Sequence, residues 1–305
     1  MFNSYKAKII ALELLSNLKV IGCQFAGEHT SGNSILKLNK KSPLGLKGDL
    51  IFMPKDEVMY RNVKFFGKWE LEESLFLASA VKNLKNSTSD VTLIDIGANC
   101  GLTSIQVMNL LRGNKEKSQL NFILVEPLDI HLKALKENLK KFESNNITIF
   151  PYALSVGDSG ESEIYTESKN FGNTSMISNV VNQKSRKIEL IKTKEVNEFI
   201  KEELSLRSDI VIKIDIQGLD VLILNEFKSL IPDLIKAVIV EVWAIPSISK
   251  LSVDNLRNYI SSFEYCAWTP FNGEKISFDE IFEFWTSQTG KTKNLFLSKS
   301  AINRI

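Results

Sequence analysis

The stretch Val91-Thr92-Leu93-Ile94-Asp95-Ile96-Gly97-Ala98-Asn99-Cys100-Gly101 decides the fold. Its first half is a short β-branched run, apolar on both alternations, which predicts a strand covered by helices on both faces and therefore a parallel sheet. The run stops at Gly97, and a helix is expected from about Thr103. A strand, glycine loop and helix in succession let backbone approach a ligand and aim helix N-terminal N–H groups into the crevice above the sheet. The glycines are spaced G-x-x-x-G, and Asn99 stands where a dinucleotide fingerprint needs its second glycine. A phosphate-binding P-loop is excluded as well, because Leu102 rather than Lys precedes Thr103.

Outward from this stretch the rhythm repeats. Strands are expected at Asn121–Val125, Ile147–Pro151, Ile210–Ile214 and Ala237–Val242, with two closing strands, Tyr265–Trp268 and Asn294–Ser298, as an antiparallel pair at the sheet edge. Leu132, Leu135, Leu139 and Phe142 form one helical stripe, and Val221, Leu222, Leu224 and Phe227 another. The second strand ends at Glu126, 29 residues after Gly97, where a carboxylate can accept both hydroxyls of a ribose. Glycine loop and ribose acid together imply an adenosine-like ligand without a phosphate to clamp. S-adenosylmethionine fits, with its amino-acid end along Gly97–Gly101, its ribose on Glu126 and its adenine against Ala153-Leu154.

Composition narrows the class. The chain has 305 residues, 44% hydrophobic, with 38 basic against 36 acidic side chains, so it lacks the long-range field of a dedicated nucleic-acid binder. Cys23, Cys100 and Cys266 lie far apart, which speaks against a disulfide framework or zinc knuckle and for reduced thiols in the cytoplasm. Ala7 to Cys23 is interrupted by Lys8, Glu13 and Lys19 and reads as a surface-packed helix, not a membrane span. Residues 1–90 are expected to form a mixed N-terminal extension, with a polar connection from Gly27 to Lys47, a strand at Leu50–Met53 and a helix over Trp69–Leu84. Residues 91–305 are expected to form the ligand-binding domain. Between Tyr152 and Asp209 a long excursion replaces a simple crossover helix, with a turn at Gly157–Gly160, a polar strand around Ile164 and a loop Asn170–Met176; that loop, with Asn173 and Ser175 as hydrogen-bonding side chains, is expected to close over an acceptor.

Four blocks carry a family resemblance: Asp95-Ile96-Gly97-Ala98-Asn99-Cys100-Gly101, Val125-Glu126-Pro127, Tyr152-Ala153-Leu154-Ser155 and Lys213-Ile214-Asp215-Ile216-Gln217-Gly218. Together with an upstream Gly67-Lys68-Trp69-Glu70 they resemble the successive signatures of the FkbM-type S-adenosylmethionine-dependent methyltransferases, over about Asp56 to Leu297. The resemblance implies an α/β fold of the class I Rossmann-like methyltransferase kind: a mostly parallel seven-stranded sheet with helices on both faces and the last strand antiparallel. It also implies methylation of a hydroxyl on a sugar, glycan or secondary metabolite, leaving S-adenosylhomocysteine. Leu219-Asp220 departs from the pattern, in which an apolar or aromatic residue is commonly followed by Glu.

Several acids are candidates for the chemistry. Asp95 can brace the glycine loop through backbone N–H groups and lie near the cofactor's ammonium, and Asn99 can touch its carboxylate. Asp215, at the carboxyl edge of its strand, can face the sulfonium or accept a proton, and Glu241 ends the adjacent strand, so the two are expected to converge as catalytic residues. Glu70 is a third candidate base. Magnesium between Asp215 and Glu241 is conceivable by analogy, but the sequence supplies no further ligands. His29 and His131 are assigned no role, with His131 expected on the surface; Trp243 is expected in the core. Two rivals remain: a nicotinamide-dependent oxidoreductase on a similar sheet, and a degenerate fold serving as an interaction module.

Overall fold

The computed structural model describes residues 11, 15, 21–30, 32–54, 56–85, 90–112, 120–142, 146–167, 170–178, 186–204, 208–244, 253–268, 275–287 and 291–300. In chain order they form β1 (Cys23–Glu28), β2 (Ser34–Leu38), β3 (Leu50–Met53), α1 (Glu57–Phe66), α2 (Leu71–Lys85), β4 (Val91–Ile96), α3 (Leu102–Leu110), β5 (Leu120–Val125) and α4 (Asp129–Leu139). Then follow β6 (Asn146–Phe150), β7 (Ala153–Ser155), β8 (Gly160–Glu167), β9 (Asn170–Ser175), β10 (Arg186–Glu195), α5 (Val196–Glu203), β11 (Asp209–Ile214) and α6 (Asp220–Leu230). The chain closes with β12 (Ile235–Trp243), α7 (Val253–Ser261), β13 (Tyr265–Trp268), α8 (Phe278–Thr286) and β14 (Thr292–Ser298). No helix among the described residues is long and apolar enough to cross a membrane.

A seven-stranded sheet in the order β13-β14-β12-β11-β4-β5-β6 forms the centre. β12, β11, β4, β5 and β6 run parallel to one another, while β14 is antiparallel to both β12 and β13. The sheet is therefore α/β and mixed, and the expected antiparallel pair does close its edge. Every residue of β4 is buried, because helices cover both faces: Leu93 packs into one apolar cluster and Ile94 and Ile96 into the other. Chain order reverses between β4 and β11, and a crevice opens at the carboxyl ends of two strands whose connections diverge. Gly97 and Asp215 meet there. Gly97 has φ +83°, and a Cβ on it would collide with the carbonyl oxygen of Asp215. Only glycine lets the two strand ends close on one another.

The N-terminal part differs from expectation. Cys23 opens strand β1 rather than ending a helix, and most of Ala7–Cys23 lies outside the described residues. The polar connection Gly27–Lys47 contains β2, whose Leu36 and Leu38 are buried in a β1-β2-β3 sheet. Its alternation, apolar at Leu36 and Leu38 and polar between, is the period-two signal of a half-buried strand. The sequence reading also passed over α1, which Asp56 caps by accepting from Met59 N at 2.7 Å and Gly67 ends in the left-handed region. Leu36, Ile51 and Met53 share one apolar cluster with Leu93, Leu124 and Leu135, so residues on both sides of position 90 pack a common core.

The excursion after Tyr152 is a second sheet, β7-β10-β8-β9, in which the polar strand expected around Ile164 is β8 and the expected loop is a further strand. Asn170–Ser175 is its strand β9, and Leu128, Ile164 and Ile191 hold the sheet against the start of α4.

One side chain joins the two halves. Asn138 on α4 donates to Phe52 O at 2.7 Å and to Cys100 O at 2.8 Å, and accepts from Phe52 N at 2.8 Å. Asn138→Ala leaves these partners unsatisfied and is expected to cost about 2 kcal/mol, read as a lowered urea midpoint at unchanged slope. A loss below about 0.5 kcal/mol, the level of an ordinary surface substitution, would contradict the clamp.

Candidate active site

Two compartments adjoin at the crevice. The smaller, about 60 Å³, is lined by Val125, Glu126, Pro127, His131, Tyr152, Ala153, Leu154, Thr174 and Met176. The larger, about 330 Å³, is lined by Asp56, Met59, Trp69, Glu70, Asp95, Lys213, Trp243 and Thr292 among others. Gly97, Asn99, Asp215 and Gln217 border both and form the partition. Among the described residues three non-glycines adopt positive φ: Glu70 at 37°, Asn99 at 51° and Gln217 at 59°. All three line the larger compartment. Such backbone costs of order 1–3 kcal/mol each and persists where surrounding structure imposes it, as at ligand sites.

The glycine loop is braced differently from expectation. Glu126, 4% exposed, accepts from Asn99 N at 2.9 Å through one oxygen, and from Leu128 N at 2.9 Å and His131 Nδ1 at 3.1 Å through the other. A carboxylate offers about four acceptor positions. The three bonds leave one for a ligand, so Glu126 cannot take both hydroxyls of a ribose without releasing the loop. His131, expected on the surface, is buried as its partner. Asp95 does not hold the loop either: its Oδ2 accepts from Ser104 Oγ at 2.7 Å, and its buried Oδ1 has no hydrogen-bond partner among the described residues. Burial pushes the Asp95 carboxyl above its ordinary value. Gly101 lines neither compartment; a Cβ there would strike Leu135, so this glycine serves helix packing.

Beyond the partition stands a charged network. Lys213 is 3% exposed in an otherwise apolar strand, and its ammonium lies 2.8 Å from Asp215 Oδ2. Burial alone would lower its pKa, but Asp215, Asp95, Glu73 and Glu70 raise it well above the lysine value. Burial alone would raise Asp215; the Lys213 charge and the hydrogen bonds from Lys213 and Gln217 hold it below the usual carboxylate range. Gln217 Nε2 donates at 2.9 Å both to Asp215 Oδ1 and to Glu241 Oε2, which also accepts from Trp243 Nε1 at 2.6 Å. Burial, then the charges of Asp215 and Asp220, push Glu241 up to about 9. Asp220 accepts from Ile216 N and Gly218 N at 2.7 Å each, fastening the turn that carries Gln217. The shorter acid at the departure from the family pattern thus serves as a brace.

The opposite wall belongs to the turn Trp69-Glu70. Gln106 on α3 accepts from Trp69 N at 3.0 Å, donates to Trp69 O, and reaches Ser74 Oγ at 2.7 Å. Burial pushes Glu70 up to about 6, and Glu73 behind it is raised well above its ordinary value by burial and by Glu70.

The structure gathers Asp95, Gly97, Asn99, Glu126, Ala153, Leu154 and Asp215 around the compartments. Glu241 lines neither and stands behind Gln217 and Trp243, while Trp243 borders the larger compartment instead of the core. Ser175 also lines neither, and the side chain of Asn173 lies outside the described residues. Sequence reasoning missed Lys213, Gln217 and His131. A lone lysine inside the apolar run Ile210–Ile214 was the available signal for the first. Asp215, Asp220 and Glu241 each bring one oxygen within 4.8 Å of the others, a spacing compatible with a cation. Lys213, Gln217, Trp243 and two backbone N–H groups already serve those carboxylates, so a metal would compete with the Gln217 amide lying between Asp215 and Glu241.

No family model matches the chain, and no curated protein matches it. Solved structures similar to it include a precorrin-6y C5,15-methyltransferase from Geobacter metallireducens, 14% identical over 75% of this chain and 87% of that one, with a TM-score of 0.35. A S-adenosylmethionine-dependent methyltransferase from Agrobacterium tumefaciens is 9% identical over 91% of this chain and 77% of its own, TM-score 0.40. The methyltransferase FkbM from Methylobacillus flagellatus is 15% identical over 79% of this chain and 55% of its own, TM-score 0.36.

The raised Glu241 carboxyl has a defined sign. The folded state holds this proton more tightly than the unfolded chain, so the contribution is complete at acid pH and is lost as pH climbs toward about 9. The Trp243 indole N–H resonance is expected to titrate with a midpoint near 9, and Glu241→Gln to abolish that step and flatten the alkaline loss of stability. A midpoint in the ordinary carboxylate range would overturn the assignment.

Proposed function

We propose that the chain is an S-adenosylmethionine-dependent methyltransferase acting on a hydroxyl of a sugar, glycan or secondary metabolite. The observation that carries this reading is the sign of charge around the divided cleft. Among the described residues lining the two compartments, Glu126, Asp215, Asp95, Glu70 and Asp56 are acids, Lys213 is the one ammonium, and it is already paired with Asp215. The two phosphates of a nicotinamide dinucleotide would face carboxylates, with no unengaged cation among the described lining residues. A nucleoside carrying a sulfonium and an ammonium meets complementary charge in the same place.

The residues present fit that group. Tyr152, Ala153, Leu154, Val125 and Met176 supply an apolar compartment for a base, and the remaining acceptor position of Glu126 can take one ribose hydroxyl. The unpartnered Asp95 Oδ1 and the backbone of Asn99 suit the amino-acid end. When bound, S-adenosylmethionine supplies a methyl group already activated by its sulfonium. Asp215, ionised and half-buried, stabilises positive charge beside the partition and receives the proton of an acceptor hydroxyl. Glu241 is neutral at pH 7, so it serves by holding Gln217 and Trp243 rather than as a base. Trp69, Trp243 and Thr292 border the space left to the acceptor, and closing it from water lets orientation supply much of the rate. In this reading residues 1–90 are an extension to the methyltransferase domain, and α1 contributes Met59 to the wall of this space. The buried thiols of Cys23, Cys100 and Cys266, none in a disulfide, are in keeping with a cytoplasmic setting.

Calorimetry is the test. S-adenosylhomocysteine is expected to bind and NAD not to; the reverse would support the oxidoreductase reading, and binding of neither would leave a non-catalytic fold. Glu126→Ala is expected to weaken S-adenosylhomocysteine by about 1–3 kcal/mol through loss of charged hydrogen bonds, and unchanged affinity would count against its placement.

A further inference from the structure

Ser175 sits on β9, outside both compartments, and is 1% exposed. Its hydroxyl donates to Gln217 O at 2.6 Å and accepts from Ile177 N at 2.9 Å. The first bond crosses from the small sheet to the turn that follows β11. Its target is the residue with φ 59°, a conformation that L-residues avoid. Asp220 fastens the N–H groups on either side of that residue, at Ile216 and Gly218, and Ser175 fastens its carbonyl. The side chain so aimed spans Asp215 and Glu241. Thr174 and Met176, the immediate neighbours of Ser175, line the smaller compartment, whereas Trp243 lines only the larger one.

We propose that Ser175 is a positioning residue, whose clamp on the Gln217 carbonyl transmits occupancy of the smaller compartment to the Asp215–Gln217–Glu241 set in the larger. The inference rests on the nucleoside reading of the smaller compartment. A base seated there presses on Thr174 and Met176, and β9 shifts as a paired strand because Ser175 is in register with Tyr165 on β8. The hydroxyl then carries the shift to Gln217, whose amide sets the approach of the two carboxylates. Trp243, bonded to Glu241, reads the outcome from the far side of the partition. Ser175 thus helps to set the base geometry without touching a ligand.

Adenosine is the probe, because it lacks the amino-acid end and fills only the nucleoside side. Of the four tryptophans, Trp243 is assigned in a ¹H–¹⁵N spectrum by Trp243→Phe, and its indole resonance is followed as adenosine is added. In the wild-type chain the resonance is expected to shift at saturation. In Ser175→Ala the shift falls below about a third of that value although adenosine still binds, and Ser175→Thr, which keeps the hydroxyl, restores it. Gln217→Gly, which suits positive φ and so preserves the turn, abolishes the shift and decides the matter if Ser175→Ala does not fold. A full shift in Ser175→Ala or Gln217→Gly, no restoration by Thr, or an unmoved Trp243 in the saturated wild type would overturn the proposal while leaving the nucleoside site intact. Failure of the wild type to bind either adenosine or S-adenosylhomocysteine would instead remove the reading on which it rests.

Discussion

A single ammonium organises the charged wall of the cleft. Lys213 projects from a strand buried on both faces into a group of carboxylates, Asp215 in contact and Asp95, Glu73 and Glu70 around it. A lysine there without partners would lose its proton, and the carboxylates without the lysine would repel one another in a poorly solvated space. Each sign is tolerated because of the other. The balance is unequal, however, since one cation faces several acids, and the surplus is distributed by protonation. Asp215, nearest the ammonium, is held below the usual carboxylate range, while burial and the charges of Asp215 and Asp220 make Glu241 hold its proton. Two acids at the ends of neighbouring strands thereby acquire different states from environment alone.

Backbone geometry places this network with little freedom. Gly97 and the Asp215 carbonyl are so close that no side chain fits between them, which fixes β4 against β11 where their connections diverge. Around that contact most polar groups are spent on the protein itself. Glu126 holds Asn99 and Leu128, Asp220 holds Ile216 and Gly218, and Gln106 holds both backbone groups of Trp69. The strained positions Glu70, Asn99 and Gln217 are each next to such a brace, so the cleft is shaped before any ligand arrives.

The parallel core was legible in the sequence because its strands are short and apolar on both faces, and the antiparallel edge pair followed from Tyr265–Trp268 and Asn294–Ser298. β2 was passed over although Lys37 between Leu36 and Leu38 gives it a period-two signal, and of the small sheet only the polar strand around Ile164 was read, since the many charged residues of β10 mask its pattern. The same limit held at the site. Asp95, Asp215 and Glu126 were visible as acids ending apolar runs, yet their partners were not: a carboxylate's position along a strand says nothing about whether a backbone N–H, a hydroxyl or a lysine will meet it. His131 reads as a solvated helix residue until Glu126 is seen to turn inward toward it. Lys213 was missed as well, although a lone charge inside the apolar run Ile210–Ile214 was there to be read.

The Asn138 clamp bears on how such a chain could be re-engineered. Because one amide grips both Phe52 and Cys100, the glycine loop that borders both compartments is anchored to the N-terminal strands rather than to its own sheet alone. A chimera that grafts a foreign leading segment onto residues 91–305 would have to match its third strand to that amide, or the transplanted wall would arrive with a slackened loop beneath it.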